Sequence, residues 1–278
     1  MVEESPESWL HVVVGEAPLV VSIPHAGMHL PVKVLSTLHS AALARRDTDW
    51  YLERIYDVAG AVGATLIRTT ISRTVVDMNR DPAGSELYPG MASTGLCPLT
   101  TFDGDTLYRP GREPDAAEIT ARKERYFYPY HETLQRHVSR LREHHKQVVV
   151  FDAHSIRSRV PRLFEGLLPA FNLGTNSDAS CAPELIRRLE RIIDGTGESW
   201  VTNGRFKGGY ITRTYGQPAN GVHAVQLETA LRAYTNEPVE PDFKRAWPPA
   251  FAEQGAATMR RLVGRLLSEC IGFCRSAA

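Results

Sequence analysis

The stretch VVVFDAHSIR, residues 148–157, decides how the rest of the chain is read. Its four apolar residues, three of them β-branched, suit a buried strand. A short apolar run of this kind, buried on both faces, belongs in a parallel sheet covered by helices. The run ends in Asp152 and His154, two groups that are costly to dehydrate unless something holds them. Parallel sheets place ligand sites at the carboxyl ends of their strands, so this strand end is read as one wall of a site.

Two more apolar runs end in the same way: LVVSIPHAG, residues 19–27, carries His25, and HAVQLE, residues 223–228, carries Glu228. A single histidine after a strand is ordinarily a hydrogen-bonded structural group; the repetition is what points to a site. Strands are expected at His11–Val14, Leu19–Ile23, Thr65–Thr70, Val148–Asp152 and Val222–Leu227. Amphipathic helices are expected at Asp47–Val62, Ala116–His145 with a kink at Pro129, Ala182–Ile193 and Ala252–Cys274. This alternation implies an α/β fold, a three-layer sandwich around a mixed, largely parallel sheet. No internal repeat is visible, and one domain spanning residues 1–278 is expected. Two long stretches poor in periodicity, Pro82–Pro114 and Arg157–Ser180, are candidates for the walls of one pocket.

Lys plus Arg and Asp plus Glu are 32 each, so no overall attraction to nucleic acid or an anionic membrane is expected. The four cysteines have no CxxC spacing and are too sparse for a disulfide framework. Met1–Ser8 is acidic and lacks the basic and apolar regions of a secretory signal, and no uninterrupted apolar run reaches membrane-spanning length. A cytoplasmic protein with no membrane partner is the expectation.

Two histidines and a carboxylate commonly bind zinc in hydrolases and leave a position for water. His25 and His154 are the candidate nitrogen ligands for one zinc ion or another divalent metal. RRDTDWYLERIYD offers Asp47 and Asp49 as the acid. Either also suits an ordinary helix start; Asp47 is placed slightly ahead, with Asp49 as its alternative. Asp152, two residues before His154, points to the same side of an extended strand and suits a supporting partner to the imidazole. Glu228, outside this set, is the candidate general base. ISRTVVDMNRDP, residues 71–82, supplies Arg73 to polarise a carbonyl, and Asn79 and Arg80 to hold a substrate carboxylate. GRFKGGYITRTYG, residues 204–216, has four glycines with Arg205, Lys207 and Arg213, and is read as a basic flap over an anionic substrate.

Together SIPHAG, DTDW, SRTVVDMNR, STGLCP, DAHSIRSRVPRLFEG, FNLGTN, GRFKGGYITRTYG and HAVQLE resemble the N-formylglutamate amidohydrolase family, related to zinc carboxypeptidases and aspartoacylase. The resemblance covers most of the chain. It implies a phosphorylase/hydrolase-like fold and zinc-dependent hydrolysis of N-formyl-L-glutamate to L-glutamate and formate, a step of histidine breakdown. It also implies that Asn79 and Arg80 bind carboxylate, Arg73 polarises the carbonyl, Glu228 is the base and His154 is a zinc ligand. The related enzymes take their first histidine and acid from HxxE. Here AGMH follows His25, with no acid three residues on, so Asp47 and Asp49 both remain candidates.

A substrate with two carboxylates and one amide calls for at least two cationic grips beside the metal. The runner-up readings are a deacylase for another N-acyl acidic amino acid and a non-catalytic metal- or amino-acid-binding protein of the same fold. A serine hydrolase using Ser155 with His154 lacks the GxSxG elbow.

Overall fold

A computed structural model describes residues 9–85, 87, 90–243 and 246–276. The acidic opening Met1–Ser8 lies outside them, as do three positions of the Pro82–Pro114 stretch. Seven strands form one sheet: β1 (Leu10–Val13), β2 (Leu19–Ile23), β3 (Thr65–Thr69), β4 (Val148–Ile156), β5 (Phe171–Gly174), β6 (Trp200–Thr202) and β7 (Val222–Ala230). Their order is β1-β3-β2-β4-β7-β5-β6. The four central strands run parallel, β1 pairs antiparallel with β3, and β5 pairs antiparallel with β7 but parallel with β6. The helices are α1 (Val32–Leu35), α2 (Ala41–Ala44), α3 (Leu52–Ile55), α4 (Ala116–Arg122), α5 (Tyr128–Arg142), α6 (Pro183–Asp194), α7 (Tyr210–Tyr215) and α8 (Glu253–Ser276). None among the described residues is long and apolar enough to cross a membrane.

Every residue of β2 and β4 is buried, as the unbroken apolar runs require of central strands. Alternation along β4 then divides the core. Val149 and Phe151 pack with Leu189 of α6 and Val263 and Leu267 of α8, whereas Val148 and Val150 pack with Leu134 and Val138 of α5 and Ile211 of α7. Helices thus cover both faces, giving the expected three-layer α/β fold. All four cysteines are free and buried.

Three departures from the sequence reading bear on the site. β4 continues past Asp152 to Ile156 and β7 past Leu227 to Ala230, because the two strands pair through nine consecutive rungs from Val148↔Val222 to Ile156↔Ala230. His154 and Glu228 are therefore opposed residues inside the sheet. The helix expected from Asp47 begins only at Leu52 and gives way to a 3-10 turn at Tyr56–Ala59. Before it, Asp49 N donates to His25 O at 3.1 Å and Tyr51 is left-handed (φ 62°), so residues 47–51 are fastened to the site. Finally, a π turn at Lys123–Phe127 joins α4 to α5, placing the irregularity just ahead of Pro129, which has no N–H to give. The strands β5 and β6 and the helix α7 lie where no element was expected.

The loop leaving β2 lies against the end of β3: His29 N donates to Thr70 O at 2.7 Å, and Ser72 N to His29 O at 2.9 Å. Gly27 permits this approach, since a Cβ there would stand 2.3 Å from Ile71 O. Backbone can yield only by separating the two segments. Gly27→Ala is therefore expected to lower stability by about 1–3 kcal/mol, read as a lower denaturant midpoint; an unchanged midpoint contradicts the packing described.

Candidate metal centre and active-site cavity

Because side chains alternate along strands, Asp152 and His154 of β4 emerge on the face covered by α5 and α7, beside Gln226 and Glu228 of β7. His25 comes from the turn after β2, and Asp49 from the segment tied to His25 O. His25, Asp49 and His154 are all buried and offer ligand atoms within 4.8 Å of one another. That is little more than the roughly 4 Å two zinc ligands can span, given bonds of about 2 Å.

The orientations are specific. His25 directs Nε2 to Asp77 Oδ1 at 2.7 Å and leaves Nδ1 4.0 Å from Asp49 Oδ2. His154 directs Nε2 to Asp152 Oδ2 at 3.0 Å and Nδ1 to Asp49 Oδ2 at 3.3 Å. Both imidazoles thus have an acid behind them and turn Nδ1 toward the same carboxylate, the arrangement in which an outer acid fixes the ring of a metal-binding histidine. His25 Nδ1 and Asp49 Oδ1 are buried without hydrogen-bond partners, whereas buried polar atoms ordinarily have one. The donor set and these two atoms fit a divalent cation.

The protonation of the site fits it too. Burial and then Arg73 push His25 down to about 4, against the pull of Asp77. Burial would also depress His154, but Asp152 and Asp49 outweigh it and hold this imidazole well above its ordinary value. Burial drives the Glu228 carboxyl up to about 8, despite the nearby His154. Asp77 stays well below the usual carboxylate range: burial opposes this, but Arg80, His25 and Arg73 prevail. Asp49, Asp77, Asp152 and Glu228 are thus buried together, with the buried Arg73 beside Asp77 and Asp49 and the partly buried Arg80 3.7 Å from Asp77. A dication bound there would place its charge directly among these acids.

Of the two acids in DTDW, it is Asp49 that meets the histidines, not Asp47. Asp47 Oδ2 accepts from Phe102 N at 2.7 Å and Oδ1 from Arg157 Nη2 at 3.3 Å. The chain through these residues is not helical, so neither acid is an N-cap. Arg73 donates Nη2 to Asp77 Oδ2 at 2.8 Å, holds Nη1 3.7 Å from Asp49 Oδ1, and lies under the Phe102 ring at 4.8 Å. Asn79, expected on a substrate carboxylate, is engaged within the protein. Its Nδ2 donates to Asp152 Oδ2 at 3.0 Å and stands 2.9 Å from His154 Nε2, while its Oδ1 accepts from Ile211 N at 2.8 Å.

A cavity of about 50 Å³ opens beside this group, bordered by Arg73, His154 and Glu228 and also by Arg80, Arg205 and Phe102. Arg80 is fastened to Thr94 O (Nε, 2.9 Å) and Asn79 O (Nη1, 3.1 Å); Arg205 is fastened to Leu163 O (Nε, 2.6 Å) and Ala92 O (Nη2, 2.8 Å). These carbonyl anchors orient both guanidiniums, and Arg80 Nη1 also lies 3.7 Å from Asp77 Oδ2. Lys207 and Arg213, by contrast, are exposed and do not border the cavity, so the basic flap contributes Arg205. The sequence reading assigned no role to Asp77 or Gln226, although the first stands in DMNR and the second two residues before Glu228. Phe102 left no comparable signal.

The sequence pattern that defines N-formylglutamate amidohydrolases matches residues 17–235. The chain belongs to this family. It is 47% identical over 224 residues to an N-formylglutamate deformylase of Pseudomonas putida, covering 80% of this chain and 84% of that one. It is 46% identical over 255 residues to one of Pseudomonas aeruginosa, covering 91% and 94%. The crystal structure of N-formylglutamate amidohydrolase from Ralstonia eutropha JMP134 aligns with a TM-score of 0.80 at 25% identity, over 98% of this chain and all (100%) of that one. A gene product of Agrobacterium tumefaciens shares the fold, with a TM-score of 0.69 at 17% identity and 96% of each chain covered.

The Asn79 amide is packed against Gly209, where a Cβ would fall 2.5 Å from its Cγ, Oδ1 and Nδ2. Gly209→Ala should displace the amide from Asp152 and His154 and lower turnover by about 10- to 100-fold, the usual effect of losing a supporting partner. Steady-state kinetics on the folded variant check this; wild-type turnover contradicts it.

Proposed function

We propose that this protein hydrolyses N-formyl-L-glutamate to L-glutamate and formate, with one divalent cation, zinc in the first instance, held by His25, Asp49 and His154. The deformylase relatives support the substrate. The convergence of two acid-backed Nδ1 atoms on the buried Asp49 carboxylate is the single observation that carries the metal. When bound, such a cation acts as a Lewis acid and brings the pKa of water toward about 7.

The remaining work falls to the chain. Glu228, opposed to His154 across β4 and β7, takes the proton of the attacking water and passes it to the amide nitrogen as the C–N bond breaks. A carboxylate raised by burial suits both halves of that transfer, because it neither releases nor keeps the proton too strongly. Arg73, buried and held by Asp77 and Asp49, donates to the carbonyl oxygen as it becomes anionic. Removing one such donor typically costs about 100- to 1000-fold. Arg80 and Arg205 receive the two substrate carboxylates. Ser155 is given no nucleophilic role, because both nitrogens of the adjacent His154 face acids.

Metal analysis should separate the two acids of DTDW: Asp49→Asn loses the bound cation, while Asp47→Asn keeps it. The reverse result removes Asp49 from the ligand set. Glu228→Gln should retain the cation and lose at least about 100-fold in formate release, and chelation of the wild type should abolish release until metal is restored. The kcat/KM profile should rise with pH as Glu228 loses its proton. Its midpoint should lie at or below about 8, the value set mainly by burial without the cation's added charge; a flat profile from about pH 5 to about 9 contradicts the base assignment.

A further inference from the structure

Phe102 borders the cavity but belongs to none of the motifs and has no part in the mechanism. It belongs to a small apolar cluster with Ile156 and Leu163, and all three border the cavity. Its ring lies over the Arg73 guanidinium at 4.8 Å, the same group that the proposed mechanism directs at the scissile carbonyl. The ring therefore flanks the position of that carbonyl and of whatever the carbonyl carbon bears.

The backbone beneath Phe102 is unusually well fastened for a loop. Phe102 N donates to Asp47 Oδ2 at 2.7 Å. The next residue, Asp103, accepts two bonds from Arg157, at 3.2 and 2.9 Å, and Arg157 also reaches Asp47 Oδ1 at 3.3 Å. Arg46 pairs with Asp103 at 3.4 Å and with Asp105. Within the turn, Thr101 N donates to Asp105 O at 2.9 Å and Asp105 N to Thr101 Oγ1 at 3.1 Å. Arg157 and Asp47 are almost wholly buried. Burying an ion pair is costly, and here the pair closes a bridge between the segment before α3, the residue after β4 and the turn that carries Phe102.

We propose that Phe102 sets the acyl-group specificity: held in place by Asp47 and Arg157, its ring closes the space beside the scissile carbonyl, admitting the hydrogen of a formyl group and rejecting a methyl or larger group. The inference rests on the deacylation reading above. A wall can reject one carbon only if it does not yield, and the ion-paired turn supplies that rigidity. Asp47 is then a positioning residue acting through Phe102, which accounts for a buried acid beside the ligand set that does not join it.

The test measures kcat/KM of the metal-loaded enzyme for N-formyl-, N-acetyl- and N-propionyl-L-glutamate in the wild type and in Phe102→Leu, Phe102→Ala and Asp47→Asn. The wild type should favour formyl. The acetyl-to-formyl ratio should rise through Phe102→Leu to Phe102→Ala, by about 10- to 200-fold, the range one carbon is worth in a fitted pocket. Asp47→Asn should raise the ratio by less; a merely structural role would lower activity on all three substrates together. If Phe102→Ala does not fold, Phe102→Leu and Asp47→Asn read the same ratio. Formyl activity in the wild type with a ratio that stays constant across the folded variants overturns the inference while leaving the deformylase reading intact. Failure of the wild type to release formate from N-formyl-L-glutamate, while it deacylates the acetyl or propionyl compound, overturns the substrate reading instead.

Discussion

The parallel pairing of β4 with β7 is the constraint from which the site follows. Nine rungs keep both strands extended to their last residues, which holds His154 and Glu228 opposite one another, inside the sheet and out of solvent. A strand that stopped at Asp152 would have left His154 on a mobile loop with its ordinary titration. Kept in the sheet, it lies 3.0 Å from Asp152 and 3.3 Å from Asp49. The same desolvation raises the Glu228 carboxyl to about 8, which in the proposed reading suits a proton carrier.

Such a concentration of acids inside a fold is tolerable only if each is answered. Arg73 answers Asp77 and Asp49 together, Asn79 answers Asp152, and the Ser155 amide donates to Asp49 at 3.0 Å. In the proposed reading, catalysis and folding draw on the same charges. In the proposed reading, the ion that activates water also relieves the strain of burying so many carboxylates, which is why site and core are continuous here.

Much of this was legible in the sequence, for identifiable reasons. His25, His154 and Glu228 stood out because an apolar strand that runs into a polar residue violates its own pattern, and Arg73 and Arg80 because they close such a run. The choice between Asp47 and Asp49 was not legible. It depends on a left-handed Tyr51 and on a hydrogen bond from Asp49 N to His25 O, neither of which leaves a compositional trace. Lys207 and Arg213 looked equivalent to Arg205 because a glycine-rich segment does not reveal which of its faces turns inward. The strands β5 and β6 went unrecognised at four and three residues, too short for a period to register. Phe102 was invisible for a different reason: its position is set by an ion-paired turn assembled from three distant parts of the chain.

Anomalous diffraction from crystals of the zinc-loaded protein, collected at the zinc edge, tests the central claim most directly. One peak is expected about 2 Å from Nδ1 of His25, Nδ1 of His154 and a carboxylate oxygen of Asp49, with both Nε2 atoms still on Asp77 and Asp152. A peak at Asp47, coordination through either Nε2, or no peak at the site from protein that retains activity would contradict the account.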